Sequence, residues 1–133
     1  MVCVQCGGQT QVINSRHQKR ANQVWRRRRC RDCGAVFTSE ESPAYSASWA
    51  VQSRSGALQP FSRDKLLLSL HRSLQHRPTA LEDAAGLVDT IIRRLSDTVT
   101  DGIIQNRAIV QVTQVALSRF DGAASTHYAA FHK

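Results

Sequence analysis

The chain has 133 residues, with 18 lysines and arginines against 10 acidic residues, a formal charge of +8 and a pI near 10.2. That length holds one ordinary domain, or a metal-stapled module followed by a small domain. The charge suits a polyanionic partner without choosing among nucleic acid, acidic lipid and acidic protein. No apolar run approaches the roughly 20 residues needed to span a bilayer, and no basic segment followed by an apolar run opens the chain, so the expected location is cytosolic.

The first stretch is organised by its cysteines. Cys3 and Cys6, then Cys30 and Cys33, form two identically spaced pairs and use every cysteine in the chain. Two sulfurs separated by two residues can face one ion from a single tight turn, and two such turns supply the four thiolates of a structural Zn²⁺ site. Disulfides are disfavoured by the Cys-x-x-Cys spacing in a reducing compartment, and a redox pair would need no twin. Four sulfurs leave no open position for water, so one zinc ion with a structural role is expected.

Between the pairs, Gln11–Asn14 and Gln23–Arg26 have the β-branched and aromatic content of short strands. Arg16–Asn22 forms a polar loop between them, and Ala35–Thr38 offers a third strand. This is the pattern of a zinc ribbon. Its few apolar residues cannot offset the ordering entropy alone, so folding should depend on the ion.

Arg26, Arg27, Arg28 and Arg29 sit inside the second strand, with Trp25 before them and Arg16, Lys19 and Arg20 on the adjoining loop. Most charge runs are solvated surface. A run fixed by metal on a strand presents Arg26 and Arg28 to one side and Arg27 and Arg29 to the other. One pair can then meet guanine edges while the other meets phosphates, a DNA-binding arrangement. Sequence does not say which pair does which.

Charge is uneven along the chain: residues 1–48 hold eight basic and three acidic side chains, residues 49–133 ten and seven. Ser39–Ser48 has a linker's composition, giving a first domain over 1–48 and a second over 49–133. In the second, Trp49–Gln52 and Ala57–Gln59 flank Ser55-Gly56 as a hairpin. Ser62 caps a helix with Leu66, Leu67, Leu70 and Leu74 on one face, ending before Pro78. Thr79 and Glu82 have capping-box spacing ahead of a stripe of Leu81, Ala85, Val88, Ile92 and Leu95. Asn106 is positioned to cap a third helix bearing Ile109, Val112, Ala116 and Phe120, and a short helix covers Ala124–Phe131. The fold class is therefore α+β, a small antiparallel ribbon followed by a mainly helical domain with a short hairpin. Arg54, Lys65, His76 and Arg77 are scattered, and His127 and His132 lack partners at metal spacing. No nucleophile–base set, carboxylate pair or phosphate-cradling glycine loop is visible, so no enzyme is expected.

Residues 1–41, with both cysteine pairs, Asn14-Ser15-Arg16, the arginine run and Val36-Phe37-Thr38, resemble the zinc ribbon of the NrdR transcriptional repressors. The remainder, with Pro60 to Leu66, His76-Arg77-Pro78 and Asn106 to Asp121, resembles the ATP-cone that follows the ribbon in that family. The resemblance implies a homo-oligomeric repressor of ribonucleotide reductase genes that binds paired operator boxes in DNA and takes ATP or dATP as allosteric ligands. It implies zinc on Cys3, Cys6, Cys30 and Cys33, DNA contacts from Arg16 and Arg26–Arg29, and nucleotide near Val51, Arg54, Lys65, His76, Arg77 and Tyr128.

Against the family pattern, Val4 stands where proline is usual and Asn14 where aspartate is usual. Ser53 and His76 each replace a lysine, removing cations that would meet phosphate. Two other classes compete. One is an RNA- or ribosome-associated zinc ribbon with an inert helical domain; the other is a reductase fragment, against which the leading ribbon speaks.

Overall fold

A computed structural model describes residues 1–132. The chain divides into two compact units, Met1–Pro43 and the remainder from Ala44. The architecture is α+β, as the sequence indicates. Among the described residues no helix is long and apolar enough to cross a membrane.

The first unit is one antiparallel sheet of three strands in the order β1-β2-β3, with β1 at Thr10–Gln18, β2 at Gln23–Cys30 and β3 at Val36–Glu41. β1 is longer than the sequence pattern suggests, so Arg16 lies on the strand and not in a loop. The turn itself is confined to Lys19–Asn22, closed by the Asn22 N–H on the Lys19 carbonyl, with Asn22 at φ +49°. Asparagine tolerates that left-handed conformation better than most side chains. A bulge between Val12 and Asn14 leaves Ile13 unpaired and shifts the register with β2.

The second unit begins with a short helix α1, Tyr45–Ser48. This helix and the extension of β3 to Glu41 occupy most of the stretch whose composition suggested a linker over Ser39–Ser48. Serine and glutamate content misleads there because one face of an exposed strand needs no apolar side chains. The ring of Tyr45 packs on Trp49 at 4.5 Å, and Trp49 meets Phe61 edge-on at 5.4 Å, which seats α1 on the core through buried Phe61.

The hairpin forms from β4, Ala50–Gln52, and β5, Leu58–Pro60. A third strand, β6 at Ile103–Gln105, runs parallel to β4 and gives the order β5-β4-β6. Its three residues are too few for any periodicity. Just before it, Asp101 and Gly102 both take positive φ in a tight turn bridging Thr100 and Ile103. An Asp-Gly pair favours such turns because both central residues must be left-handed.

Four helices complete the unit beside α1: α2 at Arg63–Ser73, α3 at Ala80–Leu95, α4 at Asn106–Phe120 and α5 at Gly122–Phe131. Ser62 caps α2 as expected, its hydroxyl accepting the Lys65 N–H at 3.2 Å. The buried face of α3 is Ala80, Ala84, Val88, Ile91, Ile92 and Leu95. Leu81 is 59% exposed, so the expected stripe is out of phase over its first turn and correct beyond Val88. Alanines at 80 and 84 serve the packed face because their small side chains admit neighbouring helices closely.

Thr79 forms no capping box; its hydroxyl donates to Asp83 Oδ2 at 2.7 Å. Asn106 is already helical, because the chain passes straight from β6 through Gln105 into α4. Asp121 caps α5 by accepting the Ala124 N–H at 3.0 Å, so the helix starts at Gly122 and not at Ala124 as expected. Phe120 stands 41% exposed, with the Arg77 guanidinium 4.7 Å from its ring centroid. The core gathers Phe61, Leu70, Leu74, Ile91, Leu117 and Tyr128 from every helix except α1 and from the end of the hairpin.

Candidate metal centre, basic face and helical cavity

The two Cys-x-x-Cys turns are near copies. Cys3 N–H donates to the Gly8 carbonyl at 2.8 Å and Cys30 N–H to the Ala35 carbonyl at 2.9 Å. Gly7 and Gly34 follow the second cysteine of each pair at φ +75° and +76°, donating back to the Cys3 and Cys30 carbonyls. A side chain at either position would strain the turn that aims both sulfurs inward.

All four Sγ atoms lie within 4.8 Å of one another, with Cys3–Cys33 at 3.7 Å and Cys6–Cys30 at 3.4 Å. A tetrahedral thiolate shell with Zn–S of about 2.3 Å has sulfur separations of about 3.8 Å, so the donor set fits zinc. Backbone N–H groups of Gln5, Gly8, Asp32 and Cys33 point at the sulfurs at 3.4 Å. The Cys33 and Asp32 amides bring the Cys30 thiol down to about 7. At Cys6 the Gly8 amide favours the thiolate, but the sulfurs of Cys30 and Cys33 and burial prevail and push it up to about 12. Four crowded thiols thus resist shared ionisation until a cation joins them.

The sheet register sorts the arginines. Cross-strand partners share a face, and Arg27 lies between Asn14 and Thr38, Arg29 between Gln11 and Val36, and Trp25 between Arg16 and Glu40. Arg16, Trp25, Arg27 and Arg29 therefore stand on one face, and Arg27 and Arg29 are exposed. Arg26 and Arg28 point the other way and are half-buried. Arg26 pairs with Glu41 at 3.0 Å, and Arg28 Nε donates to Ser39 Oγ at 3.0 Å. Among the described residues Arg16, Arg27 and Arg29 make no side-chain hydrogen bond or ion pair. A depression of about 260 Å³ beside Arg16 and Arg27 is lined also by Asn14, Ser15, Trp25, Arg26 and Thr38. Lys19 and Arg20 are exposed at the tip of the β1–β2 turn.

In the second unit a cavity of about 210 Å³ opens between β4, the start of α2, α4 and α5. Three sequence candidates line it: Val51, Lys65 and Tyr128. Three do not. Arg54 is exposed in the β4–β5 turn, where Ser53 Oγ is 2.8 Å from Ser55 Oγ. His76 and Arg77 are held at the corner between α2 and α3. His76 Nε2 meets Asp121 Oδ2 at 2.9 Å, and Arg77 bridges Asp83 at 2.8 Å and Asp121 at 3.1 Å. The Ala124 amide, His76 and Arg77 together hold the Asp121 carboxyl well below the usual carboxylate range.

Sequence reasoning missed Ser69, Asn106 and His132 on the cavity wall. Helical spacing contained part of the signal, since Ser69 is four residues from Lys65 and His132 four from Tyr128. Tyr128 is almost wholly buried, and burial pushes its hydroxyl pKa up against the opposing effect of the Thr113 and Ser69 hydroxyls. Thr113 Oγ1 is buried without a hydrogen-bond partner of good geometry. His127 lies elsewhere on α5, its Nδ1 3.0 Å from Ser73 Oγ.

A family profile described as "Transcriptional repressor NrdR-like, N-terminal domain" matches residues 1–41. Proteins named Transcriptional repressor NrdR match the whole chain. The one from Symbiobacterium thermophilum is 32% identical, and the match spans 87% of its length. That from Methylorubrum extorquens is 36% identical over 71% of its length, and that from Sinorhizobium medicae 34% over 84%. The chain belongs to the NrdR family, whose named members are transcriptional repressors and not enzymes.

Proposed function

We propose that this chain is a zinc-dependent, DNA-binding repressor of ribonucleotide reductase genes, working in the cytoplasm as a homo-oligomer whose assembly answers to ATP and dATP. The observation that carries the DNA half is the sorting of the arginines. Arg26 and Arg28 are spent inside the sheet on Glu41 and Ser39, while Arg16, Arg27 and Arg29 share the opposite, exposed face with Trp25. Zinc supplies no chemistry there; it closes the two turns at one end of β2, so the face keeps its curvature against a duplex. A guanidinium on that face can meet guanine O6 and N7 or a phosphate, and Lys19 and Arg20 at the turn extend the reach along the backbone.

The nucleotide half rests on the helical cavity. Lys65 supplies a cation at its mouth, Val51 and Phe61 an apolar wall and Tyr128 a buried ring. Arg54, exposed in the neighbouring hairpin turn, is available to the phosphates. His76 and Arg77 serve the ligand indirectly, through Asp121 and the seating of α5, which carries Tyr128. Nucleotide shifts assembly only by binding one oligomeric state more tightly than another.

The test is a gel-shift series on DNA carrying a ribonucleotide reductase promoter, with single-stranded RNA as competitor. Arg27→Ala with Arg29→Ala should weaken binding and flatten the slope of its salt dependence by about 0.9 for each phosphate that is no longer neutralised. Arg26→Ala with Arg28→Ala should change the slope less. Equal effects of the two pairs, or preferential capture by the RNA, contradict the assignment.

A further inference from the structure

Besides its arginines, the exposed face of the ribbon holds a small site of one-sided polarity. Two adjacent cross-strand rows frame it, Asn14–Arg27–Thr38 and Arg16–Trp25–Glu40. Asn14, Arg16, Trp25, Arg27 and Thr38 line the depression there, and Glu40 does not. Asn14 Oδ1 accepts the Ser15 N–H at 2.8 Å. A backbone amide can only donate, so the side-chain oxygen is held on the strand and the NH2 group is left free. Among the described residues that NH2 makes no hydrogen bond. Trp25 Nε1 donates its one proton to Gln23 Oε1 at 3.0 Å. Its ring, 39% exposed, therefore offers apolar surface alone. Arg16 and Arg27 bring only donors, and the hydroxyls of Ser15 and Thr38 turn to suit their partner. Every fixed polar side chain on the wall is thus a donor.

Resting on the reading that this face binds duplex DNA, we infer that the depression is a thymine-reading site, with Asn14 Nδ2 donating to thymine O4 and the Trp25 ring covering the 5-methyl group. Thymine is the base whose major-groove edge sets an acceptor beside an apolar group. Adenine and cytosine present an amino donor instead, and guanine two acceptors without a methyl. A donor set against a donor loses its water with nothing in return, so the amino bases are rejected. Guanine leaves the Trp25 ring uncovered, and its paired acceptors suit a guanidinium better than one amide. Asn14 sets the sign of the site: a carboxylate at that position would present only acceptors.

The experiment is a gel-shift series with the zinc-loaded full chain on a ribonucleotide reductase promoter fragment, replacing one thymine at a time. Uracil removes the methyl alone; a 5-methylcytosine·guanine pair keeps the methyl and exchanges O4 for an amino donor. Wild type should lose about four-fold in affinity for uracil at one position in each ribbon's contact, the worth of one buried methyl group. The 5-methylcytosine pair at that position should cost about ten-fold. Trp25→Ala should bind thymine and uracil there equally. Asn14→Asp, which still accepts the Ser15 N–H, should prefer the 5-methylcytosine pair to thymine. Ratios are read, with zinc content as the check on folding, because a general loss of charge or shape moves all three bases in parallel. Uracil that costs nothing at any position, uracil sensitivity that survives Trp25→Ala, or an Asn14→Asp chain that still prefers thymine overturns the inference while DNA binding stands. Failure of wild type to bind any duplex overturns both.

Discussion

The two units of this chain reach order by different physics. Among buried apolar side chains the ribbon contributes only Cys3 and Cys30, whereas the helical unit packs Phe61, Leu70, Leu74, Ile91, Leu117 and Tyr128 into one core. In the ribbon the cysteines replace the core, and the exposed face of β2 keeps Arg27 and Arg29 for surface work. In the helical unit side chains are spent on packing, and the cavity is what their packing leaves between β4, α2, α4 and α5. Regulation by a ligand suits the second arrangement, and an invariant recognition face suits the first.

The difference can be broken most forcefully by removing metal. Chelation, or Cys30→Ser, should abolish the dispersion of ribbon resonances in an NMR spectrum while the helical circular dichroism and its thermal transition persist. A ribbon that keeps its spectrum without metal would show that its strands hold themselves. The reciprocal lesion is Leu70→Ala, at a fully buried position. It should destabilise the helical unit by about 2–5 kcal/mol in urea unfolding and leave zinc content unchanged.

Acid should also separate the units. Asp121 and Asp83 both have folded-state pKa values lowered below the usual range, Asp121 by the Ala124 amide and His76, Asp83 by Thr79 and Arg77. A depressed carboxylate contributes stability that is complete above its unfolded value, about 3.9, and is lost as pH falls towards the folded one. Urea midpoints of the helical unit should therefore fall below about pH 4, and Asp121→Asn should fall less steeply over that window. The smallest expected effect is at Leu81. Its substitution by lysine should move stability by no more than about 0.5 kcal/mol, whereas Ala84→Leu, at a fully buried position, should cost about 1–3 kcal/mol. Equal costs would restore the stripe phase that periodicity suggested.

Legibility follows the same division. The metal centre is readable outright, because ligand identity and spacing in the sequence are the chemistry. The arginine strand and its two faces are readable, but which face stays free is decided by side-chain contacts of Arg26 with Glu41 and of Arg28 with Ser39, across sequence separations no pattern exposes. In the helical unit, helix existence comes from apolar spacing, and Ser62 from its capping position. The caps at Thr79 and Asn106 fail because a nearby acid captures one hydroxyl and a preceding strand delivers the other residue already helical. The cavity wall depends on α2 meeting α5, so Ser69 and His132 can be paired only in three dimensions.

The most direct measurement follows DNA affinity through a cycle of zinc removal and return, on a ribonucleotide reductase promoter fragment, with helical circular dichroism recorded at each step. The account predicts that affinity disappears on chelation and returns with zinc, while the helical signal stays constant throughout. Undiminished affinity in protein verified to be metal-free would contradict it.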